Sequence, residues 1–199
     1  MNYFIRIICF LTILSASFSV SAQNNAKAVD EIVWERYTTA WVEKDAENIE
    51  QKEIKTDKVL AKLPFKGVQL YIPQNPNITM LNGNKYIKAF LINNTKDSLV
   101  LNRIDATIGI KTEIKIDGEW KLFQVNSGSS CGNSYFTKKL SPKNYLFLNV
   151  ENRGEGSIQV PYRLIVYIDK KPVVSNETMV YVTPKLVKLA GKPIKSISL

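Results

Sequence analysis

Ile108-Gly109-Ile110-Lys111-Thr112-Glu113-Ile114-Lys115-Ile116-Asp117-Gly118-Glu119-Trp120-Lys121-Leu122-Phe123-Gln124-Val125 is the stretch whose reading decides the fold. Ile108, Ile110, Thr112, Ile114 and Ile116 fall on one side of an extended chain, with Lys111, Glu113 and Lys115 on the other. This period of two marks a half-buried strand, because successive side chains of a strand point to opposite faces. Asp117-Gly118 then supplies the pair that most readily adopts the positive φ angles of a two-residue turn. The stretch therefore reads as a β-hairpin.

The same pattern spreads outward. Val68-Gln69-Leu70-Tyr71-Ile72 reads as a strand stopped by Pro73 and Pro76, and Tyr86-Ile87-Lys88-Ala89-Phe90-Leu91-Ile92 as a second. Asn93 to Asp97 is a turn before Ser98-Leu99-Val100-Leu101. Residues 126–134 form a loop of small residues. Tyr145 to Val150, Tyr162 to Ile168 and Thr178 to Val182 complete the set, with Pro161 expected at a strand start or bulge. Eight or nine short strands with regular turn signals predict a mainly β chain, a sandwich or barrel.

Upstream the signals change. Val29, Ile32, Val33, Tyr37, Ala40 and Trp41 recur at helical spacing, and Asn24 or Asn25 can cap, so residues 25–42 are expected to be a helix. The β-branched and aromatic run from Ile32 to Thr39 keeps a strand open as the alternative. Residues 43–58 are dominated by Lys, Glu and Asp and read as a solvated helix or linker. At the start, Arg6 precedes a short apolar run, and Val20-Ser21-Ala22 places small residues before Gln23. That is the order of a cleavable secretory signal. The run is too short and serine-rich for a membrane span, and the expected address is the periplasm or the cell surface.

Composition narrows the chemistry. The chain has no histidine. That removes the commonest proton carrier near neutral pH, histidine-activated nucleophiles and the usual catalytic zinc sites. Removal of the signal leaves Cys131 alone, so no internal disulfide can form. Charge is lopsided: residues 23–60 carry 6 Lys/Arg and 9 Asp/Glu, and residues 61–199 carry 20 and 9. Such a basic balance serves solubility or an anionic partner, either a protein or a glycan or lipid surface. No nucleic-acid motif is present, no cofactor is expected, and the reading is a binding protein rather than an enzyme.

The candidate residues follow from these points. Ser130, Cys131 and Gly132 lie in the small-residue loop, where backbone N–H groups can favour a thiolate. Lys138 and Lys139 are the nearest cations in sequence, and Lys185 and Lys188 stand in a C-terminal stretch without acids. Asp105, Glu113, Asp117, Glu119, Glu151 and Glu155 are the carboxylates available for a glycosidase pair. Trp120, Tyr135, Phe136 and Tyr145 are candidates for an aromatic platform, and Asp97-Ser98-Leu99 matches a pattern for O-glycan attachment.

Tyr86 to Asn94, Asp117-Gly118-Glu119-Trp120, Ser130-Cys131-Gly132-Asn133-Ser134, Leu140-Ser141-Pro142-Lys143 and Pro161-Tyr162-Arg163-Leu164 follow one another in a telling order. In that order the chain resembles exported immunoglobulin-like β-sandwich proteins of unknown function from Gram-negative bacteria. The resemblance implies an immunoglobulin-like antiparallel β-sandwich with an N-terminal helical segment, without the cysteine pair of antibody-type domains. The expected division is a signal peptide at 1–22, a helical or linker segment at 23–63, the sandwich at 64–184 and a basic tail at 185–199. A non-catalytic interaction module is the leading functional expectation, and a histidine-independent carbohydrate-active hydrolase the alternative.

Overall fold

The hairpin forms as its alternation requires. In the computed structural model, which describes residues 33–44, 47, 50–129, 131–152 and 155–194, β9 (Ile110–Ile116) pairs antiparallel with β10 (Glu119–Asn126). Asp117 and Gly118 take φ of 54° and 83°, the mirror-image turn that suits the twist of the flanking strands. Ile114 and Thr112 are fully buried, while Lys111 is exposed.

Two sheets follow, giving a mainly β, sandwich-like fold. The first has six strands. β1 (Tyr37–Thr38) runs parallel to β10, and β9 pairs on its other side with β13 (Ile158–Ile168). The opposite edge of β13 carries both β14 (Lys171–Val174) and β15 (Thr178–Val182). The second has nine strands, with the main order β11 (Tyr135–Leu140), β7 (Leu99–Ile104), β8 (Thr107–Ile108), β2 (Ala40–Val42), β12 (Asn144–Glu151), β6 (Lys85–Asn94) and β4 (Gly67–Tyr71). Two short strands join off this path: β3 (Gln51–Glu53) on β12 and β5 (Asn77–Thr79) on β6. Leu91, Leu148, Val150, Ile114 and Leu164 are among the side chains wholly withdrawn from solvent. Asn176 joins the edges of the two sheets: its side chain accepts from the Ile72 N–H at 2.7 Å and donates to the Ile72 carbonyl at 2.8 Å.

The N-terminal expectation is corrected. Over the described residues from 33 to 42 the chain is a 3-10 turn (Trp34–Arg36) and then β1 and β2, not a helix; residues 25–32 lie outside the described residues, as does the segment 1–22. Tyr37, Ala40 and Val42 are buried while Trp41 is exposed, so β-branched content and a short period of two overrode the helical spacing. The expected linker is also built in. Ile54, Leu63 and Phe65 pack with buried Leu60 over Phe90, Ile92 and Tyr145. Strands with apolar residues on both faces need a cover on both sides, and residues 54–65 supply the second. Residues 54–65 belong to the same compact unit as the two sheets.

Of the C-terminal stretch, the described residues to 194 begin with a helix. Thr183 caps α1 (Pro184–Leu189) by accepting from the Leu186 N–H at 3.3 Å, with Pro184 at the first helical position and Leu186 buried. Arg36, itself buried, donates to the carbonyls of Phe123 at 2.7 Å, of Lys192 at 3.1 Å and of Leu189. One guanidinium thereby ties the segment before β1 to β10 and to the end of α1. Pro161 lies inside β13, not at its start; β9 pairs only from Tyr162 onward, so the missing N–H falls where no partner strand stands.

Candidate functional site

β11 is one edge of the nine-stranded sheet, with β4 at the other end of the order. Among the described residues the six residues of β11 pair with β7 alone, from Tyr135 opposite Ile104 to Leu140 opposite Leu99. Only Leu140 is buried. Phe136 and Lys138 share a face with Leu140 and stand opposite Arg103 and Leu101. β2 and β8 span only the far half of the gap between β7 and β12. A cavity of about 200 Å³ is lined by Glu50, Gln51, Leu101, Arg103, Lys138 and Leu146, among others.

Glu50 organises this cavity. Arg103 Nη1 donates to Glu50 Oε2 at 3.0 Å, Lys138 Nζ donates to the same oxygen at 2.7 Å, and Lys44 Nζ stands 3.9 Å from Oε1. Arg103 is 1% exposed, and its Nε donates to the Thr107 carbonyl at 2.9 Å. Arg103 Nη2 is buried without a hydrogen-bond partner among the described residues. The Phe136 ring lies 6.0 Å from the guanidinium carbon. Burial pushes the Glu50 carboxyl up, but the hydrogen bonds and charges of Lys138 and Arg103 outweigh it and hold the group below its ordinary range. Lys139 adds a further exposed cation, so the positive groups outnumber the single carboxylate.

The loop of small residues leads straight into this edge. Cys131 is exposed, and its N–H donates to Ser129 Oγ at 3.3 Å. The Tyr135 hydroxyl donates to the Ser129 carbonyl at 2.7 Å, and Ser134 accepts from Asp105 through its carbonyl at 2.8 Å. Gly132 opens a 3-10 turn ending at Ser134; Ser130 lies outside the described residues. A strand rises about 3.3 Å per residue, which carries Lys138 and Lys139 away from the thiol, and Lys138 is engaged by Glu50.

The expected site residues thus separate. Cys131 and Gly132 stand before the strand that carries Lys138 and Lys139, at one edge of one sheet. Lys185 and Lys188 are exposed on α1, whose following Gly191 donates to the Leu122 carbonyl of the other sheet. The aromatic platform does not assemble: Trp120 sits on β10 with the Arg163 guanidinium 4.2 Å from its ring, while Tyr145 is buried under residues 54–65. Glu113 is held by Arg163 Nε at 2.7 Å. Asp105 and Asp117 occupy turns with positive φ. Glu151 and Glu155, with Glu35, line a separate open cleft of about 470 Å³. Ser98 of the O-glycan pattern is exposed beside the turn ahead of β7.

Sequence reading missed Glu50 and Arg103. Glu50 is hidden in a charged run that looks solvated. Arg103 carried a signal: it continues half-buried Leu99 and buried Leu101 at the strand period, so a charge falls where an apolar side chain is due. No protein-family model matches the sequence, and no curated protein matches it. Among the described residues no cluster of three or more Cys, Asp or Glu could hold a metal ion, and no helix is long and apolar enough to cross a membrane.

Proposed function

We propose that the protein is an exported, immunoglobulin-like, non-catalytic interaction module that binds an acidic, extended segment of a partner protein along β11. One observation carries the reading: an open strand edge that bears Lys138 on one face and Lys139 on the other, beside a buried arginine. Extended segments bind exposed edges through main-chain hydrogen bonds, and side chains at alternate positions set specificity. Lysines on an edge repel basic strands and copies of the same edge, which leaves a carboxylate-bearing strand as the favoured occupant. The overall basic balance of residues 61–199 adds steering toward such a partner.

The test is titration of a synthetic decapeptide of alternating Glu and Val into the purified protein. Binding is expected, weakening steeply with salt, since exposed charges are screened beyond about 8 Å at physiological ionic strength. Lys138→Ala with Lys139→Ala should weaken it at least about tenfold. Equal binding by the double variant, or retention on anionic vesicles or heparin resin with none on the peptide, overturns the reading. The second reading, a hydrolase, draws on the cleft that gathers Glu35, Glu151 and Glu155; release of reducing sugar from envelope polysaccharide, abolished by Glu151→Gln, is its measurement.

A further inference from the structure

β15 is also open, and its backbone is self-complementary. It pairs only with β13, and among the described residues no strand lies on its far side. Met179 stands opposite Pro161, which has no N–H, so this is not a doubly hydrogen-bonded pair. The bonded pairs are therefore Val160 with Val180 and Tyr162 with Thr178. By alternation the N–H and C=O groups of Met179 and Tyr181 point away from β13, along the free edge. Their side chains are 45% and 54% exposed. A cleft of about 560 Å³ runs beside this edge, walled on its other side by residues 71–77.

The sequence of β15, Thr178-Met179-Val180-Tyr181-Val182, contains no charge. Open edges are ordinarily blunted by lysine, proline or a bulge, and β11 carries two lysines where β15 carries none. We infer that β15 pairs antiparallel with β15 of a second copy of this chain. The two-fold axis passes through Val180. Met179 then faces Tyr181 of the second copy, and Tyr181 faces its Met179, each as a doubly hydrogen-bonded pair. Both outward main-chain pairs are satisfied, and each exposed Met179 packs on a Tyr181 across the axis. The two six-stranded sheets become one continuous sheet. Glu177, next to the strand, sits at the outer ends of the pairing and not at its centre. This interface is separate from the acidic-partner site and does not depend on it.

Sedimentation equilibrium of the protein purified from its producing cells, over roughly 1 μM to 1 mM, tests the inference. A monomer–dimer equilibrium is expected, and Met179→Lys with Tyr181→Lys should raise the dissociation constant at least about tenfold. Val59→Lys, at an exposed apolar residue of the cover over the other sheet, should leave it unchanged. Hydrogen exchange at the Met179 and Tyr181 amides should slow as protein concentration rises. A monomer throughout the range, or a dimer that the double lysine variant leaves intact, overturns the proposal, and the first result makes the edge available to a different protein instead.

Discussion

β11 and β15 are both strands with one partner and one open side, yet they differ in what supports them. Behind β11 lies a buried ion pair, Arg103 with Glu50, and on it stand Lys138 and Lys139. Behind β15 lies an apolar ladder, Val180 and Val182 against Val160 and Ile158, and on it stand Met179 and Tyr181. One edge is specified by charge and the other by shape and main-chain pairing. Charge selects a partner of opposite sign and rejects its own kind, whereas an uncharged edge accepts a copy of itself. Variants on either side should therefore fail in different ways.

The largest effect is expected at Glu50. Glu50→Ala leaves Arg103 buried without its carboxylate, and breaking one side of a buried pair typically costs about 3–5 kcal/mol. Urea unfolding at neutral pH is the measurement, and a loss under 1 kcal/mol (roughly the worth of an exposed pair) would show that the pair is not buried in solution. The pH dependence has a definite sign. The folded carboxyl is held below its ordinary value of 4.5, so its contribution is complete above that value and is lost as pH falls through the lower folded value. Glu50→Gln should therefore be flatter than the parent below pH 4.5 in a series of unfolding curves. No counterpart below pH 4.5 is expected from β15, which holds no carboxylate.

These two edges were unequally legible in the sequence. The bounds of β15 were read correctly from Thr178 to Val182, because a short run of β-branched and aromatic residues ending before Pro184 has one interpretation. β11 was not read as a strand, since Tyr135-Phe136-Thr137-Lys138-Lys139 has no alternation; its pleat is exposed on nearly every residue. The hairpin of β9 and β10 followed from Asp117-Gly118. β2 and β3 escaped notice, and β1 was held only as the alternative to a helix, because two or three residues barely display a period and only partners distant in sequence make them strands. Of the site, Lys138, Lys139 and Cys131 were singled out for charge and loop composition. The Glu50–Arg103 pair depends on a contact across 53 residues, which a single sequence does not display.

A smaller effect is expected at the end of β15. A Cβ added to Gly156 would lie 2.1 Å from the Val182 carbonyl carbon and oxygen and 2.5 Å from the Thr183 nitrogen. These atoms are backbone at the junction of β15 and α1, so they cannot swing aside as a side chain would. Overpacking of this kind typically costs about 1–3 kcal/mol. Gly156→Ala should lower stability by that amount and, by shifting the strand end, loosen whatever pairs along β15. Acidic-peptide binding at β11 should survive in the fraction that remains folded. Loss of peptide binding together with intact stability would break the separation of the two edges.

The smallest effect is expected at Cys131, and it sharpens the account of β11. The thiol is exposed in a loop fixed by other groups: the Tyr135 hydroxyl on Ser129, Ser129 Oγ on Ser134 Oγ at 2.9 Å, and the Ser134 carbonyl on Asp105. Only the Cys131 backbone joins this network, donating to Ser129 and accepting from the Ser134 N–H at 3.0 Å. Cys131→Ser preserves that backbone, and substitutions at exposed positions usually fall within about ±0.5 kcal/mol. Stability should be unchanged, and a maleimide should label the parent in full without unfolding it. Attachment of a bulky maleimide places an obstacle one 3-10 turn ahead of Tyr135, near the start of the β11 edge. Labelled protein should therefore bind the Glu-Val decapeptide more weakly, while its self-association through β15 stays as it was. If labelling abolished self-association and spared peptide binding, the assignments of the two edges would have to be exchanged.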